Sequence, residues 1–238
     1  MRNEYLWLIM LIANFGSIMF AYKKFGKIGL YIWVPISTLL ANLQVVLFVD
    51  LFGFGTTLGN IMYAGGFLVT DILSENYGEE EARTAVKIGF FTMIAATLLM
   101  QIAINFTPSG FDEALNNYGS MRLIFGFMPR LMVAGLVAYG ISQFHDIRAY
   151  NFWKKRFPAT KHIWIRNNLS TLVSQFIDNL VFTAIAFWGV MPLEVLIEIF
   201  WSTYFIKFIV ASADTPFVYL ANYMKRNKGV QEIKVELS

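Results

Sequence analysis

The sequence consists largely of long apolar segments separated by short polar connections, and this pattern restricts the fold more than any other feature. About seven of these segments approach the roughly 20 residues that a helix needs to cross the hydrocarbon core of a membrane. They cover approximately 5–22, 28–52, 58–74, 84–106, 121–144, 163–188 and 193–223. The last segment is too long for one straight span, and Pro216 is the expected position of a kink or break. The sequence therefore predicts an all-α, polytopic integral membrane helix bundle.

Lysine and arginine residues concentrate in a few of the connections, which predicts the orientation of the chain in the membrane. The connection 145–162 is strongly basic and contains a single acid, Asp146; further basic residues lie at 23–27, 83–87 and 225–228. The connections 53–57, 107–120 and 189–192 contain no lysine or arginine. Seven spans, with the N-terminus outside and the C-terminus in the cytoplasm, place every basic connection inside. Six spans are the alternative, if the first segment is peripheral.

Several kinds of chemistry are excluded or disfavoured. Only 15% of the residues are charged, where a soluble domain has about 25%. The chain has no cysteine, and both histidines, His145 and His162, fall in the predicted basic connection. An intramembrane Ser–His dyad or HExxH metal site is therefore not available, and no Walker A sequence is present. We expect no enzymatic activity and no cofactor, a lipid bilayer as surroundings, and no nucleic-acid partner, because topology already explains the basic connection.

The sixth predicted span carries a polar stripe. Ionisable residues inside membrane spans are costly, so they usually face the bundle interior or a water-filled cavity. On a helix, Asn168, Thr171, Gln175 and Asp178 fall within an arc of about 80°. We favour a buried site over the alternative, hydrogen bonding that only joins neighbouring helices.

The last predicted span repeats this pattern with Tyr204, Lys207 and Asp214 on one face. Lys207 lies too deep in the apolar run to reach the surface easily. It needs a carboxylate partner, for which Asp71, Asp178 and Asp214 are candidates. A purely structural ion pair is the alternative interpretation.

The third predicted span contributes Asp71 and Glu75, which lie one helical turn apart on one face. Asn60 shares the face of Asp71, and on the second span Asn42 is better placed than Gln44 to face a common cavity. Asp71 is favoured as a site residue, whereas Glu75 fits a site and a solvated helix end equally well. The run 79–81 is assigned to the membrane surface, where it begins the next helix. Arg130 fits pairing with a buried acid and anchoring at the outer interface equally well.

Four blocks of the sequence resemble one family. They are Phe67–Gly78 (FLVTDILSENYG) followed by Ala82-Arg83, Arg166–Thr171 with Gln175 and Asp178, Lys207 with Asp214-Thr215-Pro216, and the turn Gly53–Thr57. Together they are similar to the queuosine-precursor transporters, also called the vitamin uptake transporter family. The resemblance covers about 28–226. It divides the chain into an added N-terminal helix and basic loop (1–27), a six-helix transporter core (28–226) and a mobile cytoplasmic tail (227–238). Asn179 stands where many relatives are expected to have a small hydroxyl residue.

The resemblance implies import of 7-cyano- or 7-aminomethyl-7-deazaguanine across the cytoplasmic (inner) membrane of a prokaryote. A carboxylate accepts hydrogen bonds from the N–H and amino groups of a guanine-like edge, and Asn, Gln or Lys donates to its carbonyl. The residues expected around the substrate are Asn42, Asn60, Phe67, Asp71, Glu75, Asn168, Gln175, Asp178, Tyr204, Lys207 and Asp214. Aromatic rings expected to stack on the substrate are Phe67, Trp164, Trp201 and Tyr204.

Two mechanisms fit this implied function. The favoured one is secondary or facilitated transport, with proton coupling through Asp178 or Glu75 as an additional option. The alternative is a substrate-binding membrane subunit that needs a separate ATP-driven module. The sequence leaves open whether the chain works as a homodimer.

Overall fold

A computed structural model describes residues 3–45, 47–126, 129–189 and 192–233, and within them the chain is almost entirely helical. The elements are α1 (Asn3–Gln44), β1 (Phe48–Leu51), β2 (Phe54–Thr57), α2 (Gly59–Asn76), α3 (Glu79–Ala103), α4 (Asp112–Gly126), α5 (Pro129–Arg156), a 3₁₀ turn (Thr160–His162), α6 (Ile163–Phe187) and α7 (Leu193–Arg226). Among the described residues, four helical stretches are long and apolar enough to cross a membrane: Asn3–Gln44, Glu79–Ala103, Thr160–Phe187 and Phe200–Arg226. The predicted helical membrane bundle is confirmed at this level.

α1 comprises two helices that meet at Gly26. This glycine has φ 58° and ψ −138°, a conformation that is open to glycine and strained for other residues. The indole Nε1 of Trp33 donates to Asn14 Oδ1 at 3.3 Å, whereas one straight helix would hold these two residues about 28 Å apart. The chain therefore folds back at Gly26, and the first two apolar segments form antiparallel helices.

A β-hairpin replaces the end of the predicted second span. The prediction that this span continues to residue 52 is wrong, because the helix ends at Gln44 and the chain then forms β1 and β2. Residues Phe52 and Gly53 both have positive φ, 55° and 84°, as in the two-residue turns that join hairpin strands. Val49 and Asp50 suit this hairpin, since β-branched residues favour strands and the charge of Asp50 favours water.

The predicted fifth span, 121–144, is wrong at both ends. Residues 112–126 form α4, a separate helix with no buried residue along its described length. α5 begins at Pro129, where proline suits the first turn because its missing N–H has no helical partner there. It then continues to Arg156 through much of the connection predicted for 145–162. The basic residues at 154–156 suit the last turn, where they face the negative end of the helix dipole.

α2 is the central helix of the bundle. From Gly59 to Ser74 all its residues are buried except Tyr63, which is partly buried. α1 packs along it, and α3, α5 and α7 pack around it. Backbone carbonyls on its α1 side accept hydrogen bonds from Asn14, at 2.9 Å, and from Ser37. Its polar side chains face α5, α6 and α7.

The basic connections meet at one end of the bundle, called the basic end here. Lys27 Nζ pairs with Glu81 at 2.8 Å, which joins the turn in α1 to the start of α3. Arg226 donates to Thr160 Oγ1 at 3.3 Å, and Gln231 N donates to Lys23 O at 3.0 Å. Contacts at the opposite end join the start of α1 to the hairpin and the start of α5 to the end of α6.

The predicted tail, 227–238, is described only up to residue 233. Glu232 forms an ion pair with Lys225 at 2.6 Å and accepts a hydrogen bond from the hydroxyl of Tyr77. Residues 234–238 lie outside the described residues. The division of the chain at residues 27 and 226 stays a prediction.

Candidate functional site

Polar side chains on one face of α2 meet partners from α5, α6 and α7 at three successive levels. The residues of α2 involved are Tyr63, Thr70, Asp71 and Glu75, whose spacing follows the helical repeat. The level of Tyr63 is farthest from the basic end, and the level of Glu75 is nearest to it.

The first level is called the Asp178 site and consists of Tyr63, Ser142, Asp178 and Lys207. Lys207 Nζ lies 2.6 Å from Asp178 Oδ2, so Asp178 is the carboxylate partner that the lysine requires. The other carboxylate oxygen accepts hydrogen bonds from Tyr63 Oη at 2.5 Å and from Ser142 Oγ at 3.2 Å. The Lys207 ammonium group also lies 5.2 Å from the centre of the Tyr63 ring, within cation–π range. Both charges of this site are therefore matched.

The Asp178 site lies deep in the bundle. Asp178 is about 22 Å along α6 from Ile163 at the basic end and about 14 Å from Phe187 at the other end. Asp178 is 2% exposed and Lys207 is 7% exposed. The site is closed to both ends of the bundle, and a solute reaches it only after helices move.

The second level is called the carboxyl cluster and consists of Asp71, Asp146 and Asp214. Thr171 Oγ1 donates to Asp71 Oδ2 at 3.2 Å, and Asn167 Nδ2 donates to Asp214 Oδ1 at 2.5 Å. The carboxyl group of Asp146 lies against that of Asp71, and Asp214 is close enough to interact electrostatically with both. All three are at most 1% exposed. Among the described residues, no lysine or arginine forms an ion pair with any of them.

The third level is called the Glu75 network and consists of Glu75, Tyr150, Lys154, Arg166 and Asn222. Arg166 Nη2 lies 3.0 Å from Glu75 Oε1, and Tyr150 Oη donates to Glu75 Oε2 at 3.1 Å. Lys154 donates to the backbone carbonyls of Ser74 and Glu75 at 2.6 and 2.7 Å, at the C-terminal end of α2. Cations are favoured at such a helix end. Glu75 is thus held in place by groups from α5, α6 and α7.

The sequence that forms this helical bundle matches a known protein family. The family profile described as "Putative vitamin uptake transporter" matches residues 57–221, which contain every residue of the three levels except Asn222. The chain belongs to this family. No solved structure matches the chain.

Three bacterial transporters are similar to this chain in sequence, and all three are named as queuosine precursor transporters. A "Probable queuosine precursor transporter" of Bacillus subtilis is 42% identical over 95% of this chain and 98% of its own length. A "Queuosine precursor transporter" of Escherichia coli is 29% identical over 70% of each chain. A "Probable queuosine precursor transporter" of Haemophilus influenzae is 29% identical over 58% of this chain and 54% of its own length. A transporter family implies transport rather than enzymatic catalysis.

Some of the residues that the sequence predicted for the site border the Asp178 site. Phe67 is fully buried, and its ring centre lies 5.8 Å from that of Tyr63. Gln175 is buried one turn before Asp178 on α6, and its Oε1 has no hydrogen-bond partner in the described part of the chain. Asn60 is buried in the first turn of α2.

Other predicted residues lie away from the three levels. Asn42 donates to Thr38 O at 2.8 Å and lies 3.1 Å from the sulfur of Met93, between α1 and α3. Asn168 is partly buried and donates to Trp164 O and to Thr215 Oγ1, each at 2.8 Å. Tyr204 is partly buried and stacks parallel to Phe200 with ring centres 6.3 Å apart. Trp164 and Trp201 are each more than half exposed, so their rings face outward.

Arg130 donates to the backbone carbonyls of Ile185 and Trp188, at 2.7 and 2.5 Å. It therefore caps the end of α6, and no acid among the described residues forms an ion pair with it.

Sequence reasoning missed seven residues of these levels, and it also missed Asn167, which donates to Asp214. The seven are Tyr63, Ser142, Asp146, Tyr150, Lys154, Arg166 and Asn222. The interpretation that His145 and Asp146 belong to a solvated loop is wrong, since Asp146 is fully buried and His145 Nδ1 lies 2.9 Å from Ser174 Oγ. A signal was available, because Ser142, Asp146 and Tyr150 recur every four residues and so share a helix face. Tyr63 likewise precedes Asp71 by two helical turns.

Proposed function

We propose that this protein imports queuosine precursors, 7-cyano-7-deazaguanine, 7-aminomethyl-7-deazaguanine or both, across the cytoplasmic (inner) membrane of a prokaryote. The names of its relatives from three bacteria support this substrate class. The observation that carries the proposal is the Asp178 site, a matched pair of opposite charges in the middle of the bundle.

The chemistry of the Asp178 site suits a guanine-like edge. Asp178 offers two acceptor oxygens, which match the ring N–H and the exocyclic amino group of a deazaguanine. Lys207 offers a donor for the ring carbonyl. In the closed state the two residues satisfy each other, so substrate binding replaces one set of charge-assisted hydrogen bonds with another and leaves no buried charge unpaired.

Aromatic side chains next to the ion pair suit the flat bicyclic ring. Tyr63 and Phe67 line the α2 side, and Tyr139 lies 5.7 Å from Tyr63 between ring centres. Stacking on such rings contributes favourable contact area without demanding hydrogen bonds from the substrate's faces. Asp71 lies about 12 Å along α2 from Tyr63, too far to contact the same ring edge.

The transport mechanism that we propose is secondary or facilitated, with seven membrane crossings, an outer N-terminus and a cytoplasmic C-terminus. The contacts at the basic end support this orientation, since they gather all the basic connections on one side, as the positive-inside rule requires.

Uptake by the purified chain in liposomes tests the proposal. We expect labelled 7-cyano-7-deazaguanine to enter and to be competed by the aminomethyl compound more strongly than by guanine. D178N should abolish uptake, because the amide replaces one of the two acceptor oxygens with an NH2 donor and leaves Lys207 without its negative partner. The exposed D112N on α4 is the matched control and should transport normally. If folded D178N transports like the wild type, the proposed site is wrong.

Binding without flux would favour the alternative mechanism. A chain that binds the deazaguanine in detergent yet shows no uptake on its own would be a substrate-binding subunit of an ATP-driven assembly. Uptake without any partner or ATP would exclude that alternative.

A further inference from the structure

The carboxyl cluster lies outside the substrate contacts proposed above, and its hydrogen bonding is incomplete. Asp71 Oδ1, Asp214 Oδ2 and both carboxyl oxygens of Asp146 have no hydrogen-bond partner among the described residues. Each of these atoms is shielded from solvent. Buried polar atoms are nearly always hydrogen-bonded in folded proteins. Several unpaired acceptor oxygens in one place therefore indicate a missing hydrogen-bond donor.

The hydroxyl groups nearest to Asp146 donate to other acceptors. Hydroxyl groups of Ser170, Thr171 and Ser174 lie near Asp146. In the structure they donate to Asn167 O at 3.1 Å, to Asp71 Oδ2 at 3.2 Å and to Ser170 O at 2.8 Å, respectively.

The nearby titratable and cationic groups are engaged elsewhere. Arg166 and Lys154 bind Glu75, and Lys207 binds Asp178. Tyr150 donates to Glu75, and His145 contacts Ser174.

Protons on the cluster would account for these observations. An ionised carboxylate buried without a partner is strongly disfavoured, and two adjacent carboxylates also repel each other. A proton on Asp71 or Asp146 removes one of these charges and creates an O–H donor for the neighbouring carboxyl group. A metal ion would require the oxygens to converge on one point, and the described residues contain no such group of ligands.

The position of the cluster connects it to substrate movement. Asp71 and Asp214 lie on α2 and α7, the helices that also carry Tyr63 and Lys207. The cluster lies between the Asp178 site and the basic end. Any movement of these helices that opens a path from the Asp178 site toward the basic end therefore passes the cluster and brings water to its carboxyl groups.

We propose that the carboxyl cluster is a proton-binding site and that one proton moves inward with each substrate molecule. The proton enters from the outside through the opened Asp178 site and occupies the cluster in the closed state. It leaves toward the cytoplasm when the basic end opens, so that one proton crosses the membrane in each cycle. This inference rests on the proposed uptake of a deazaguanine. It moves the proton away from Asp178 and Glu75, because the structure holds both of these in ion pairs.

The test uses the purified full chain in liposomes with the membrane potential clamped to zero. The substrate is 7-cyano-7-deazaguanine, which has no aminomethyl group to titrate. With the outside one pH unit more acidic than the inside, coupling to one proton predicts an accumulation ratio of about tenfold, since one pH unit corresponds to a tenfold proton gradient. A protonophore should return the ratio to one, and a sodium gradient alone should cause no accumulation.

D146N separates coupling from transport. Its amide donates a permanent hydrogen bond to Asp71 in place of the proton, so exchange of internal for external substrate should continue while accumulation driven by the pH gradient is lost. D112N should accumulate substrate like the wild type. The inference would be overturned if accumulation by the wild type did not depend on the pH gradient or were driven by a sodium gradient. Accumulation driven by the pH gradient in D146N would also overturn it.

Infrared spectroscopy provides a readout that does not depend on the substrate. The wild type at neutral pH should show the carbonyl stretch of a protonated carboxylic acid, and this band should weaken in D146N. If no deazaguanine enters the liposomes, the proposed function fails, while this band still decides whether the cluster holds a proton. A wild-type spectrum without the band would contradict the inference.

Discussion

The Asp178 site and the carboxyl cluster are both almost fully buried, and their α2 residues, Tyr63 and Asp71, lie about two helical turns apart. The two sites differ in whether their carboxyl groups have a cationic partner. In the Asp178 site a lysine lies 2.6 Å from the carboxylate, and both carboxylate oxygens have donors. In the cluster three carboxyl groups meet without a cation among the described residues, and four of their oxygens lack partners. The first arrangement holds a pair of charges that a polar substrate can replace, whereas the second favours neutral acids.

Breaking the ion pair should have the largest effect on stability. K207M leaves Asp178 buried without its cation, so we expect the free energy of unfolding to fall by about 3–5 kcal/mol. The double variant D178N/K207M has no unpaired charge and should recover most of this loss, yet it should not transport. Thermal unfolding in detergent and liposome uptake measure the two properties. A double variant that is as unstable as K207M would show that the charge pair does not set the energetics of this site.

The Glu75 network tests whether every ion pair of the bundle serves the substrate. E75Q leaves the guanidinium of Arg166 without its carboxylate, and we expect a loss of about 2–3 kcal/mol. Because this pair lies beyond the carboxyl cluster, substrate affinity per folded molecule should not change. Thermal unfolding and substrate titration of the same preparation check both expectations. A large loss of affinity in folded E75Q would place Glu75 in the substrate site.

A comparison of two adjacent asparagines, Asn167 and Asn168, tests which face of α6 is buried. Asn167 is fully buried and donates to Asp214 at 2.5 Å and to Thr215 Oγ1 at 3.0 Å, whereas Asn168 is partly buried. N167A should destabilise the protein by about 1–2 kcal/mol and N168A by about 0.5 kcal/mol or less. Thermal unfolding compares the two variants under the same conditions. Equal effects would contradict the face that the structure assigns.

A small effect is also expected in the carboxyl cluster. If Asp214 carries no charge in the closed state, D214N replaces one neutral group by another of the same shape. We expect a change in unfolding free energy of less than about 1 kcal/mol, in contrast to K207M. Thermal unfolding at neutral pH measures it. Destabilisation as large as that of K207M would mean that Asp214 is charged and that its charge is stabilised.

The sequence predicted the helical bundle because the length of the apolar segments depends only on the thickness of the bilayer. It also predicted that Lys207 needs an acid, because a buried ammonium group requires one wherever it lies. Which of Asp71, Asp178 and Asp214 pairs with Lys207 depends on how α2, α6 and α7 pack against each other. The periodicity of a single helix gives no information about this packing.

The location of Asp146 is a case in which the prediction from sequence was wrong. Basic residues follow it closely, and the positive-inside rule assigned the whole connection to water. α5 instead continues well past the apolar segment, and its basic residues collect in the last turn while Asp146 remains inside the bundle. Asn168 was preferred over Asn167 because the sequence pattern does not separate adjacent residues at the edge of a helix face. The contact of Asn167 with Asp214 and its full burial identify the buried side.

Substrate titration of the purified protein tests the role of the Asp178 site most directly. The affinity for 7-cyano-7-deazaguanine is compared between the wild type, D178N and D146N at one pH. We predict that D178N binds at least about 30-fold more weakly, a loss of about 2 kcal/mol that is usual when a buried charge partner is removed, and that D146N binds within about threefold of the wild type. Folded D178N that binds as tightly as the wild type would contradict the central claim.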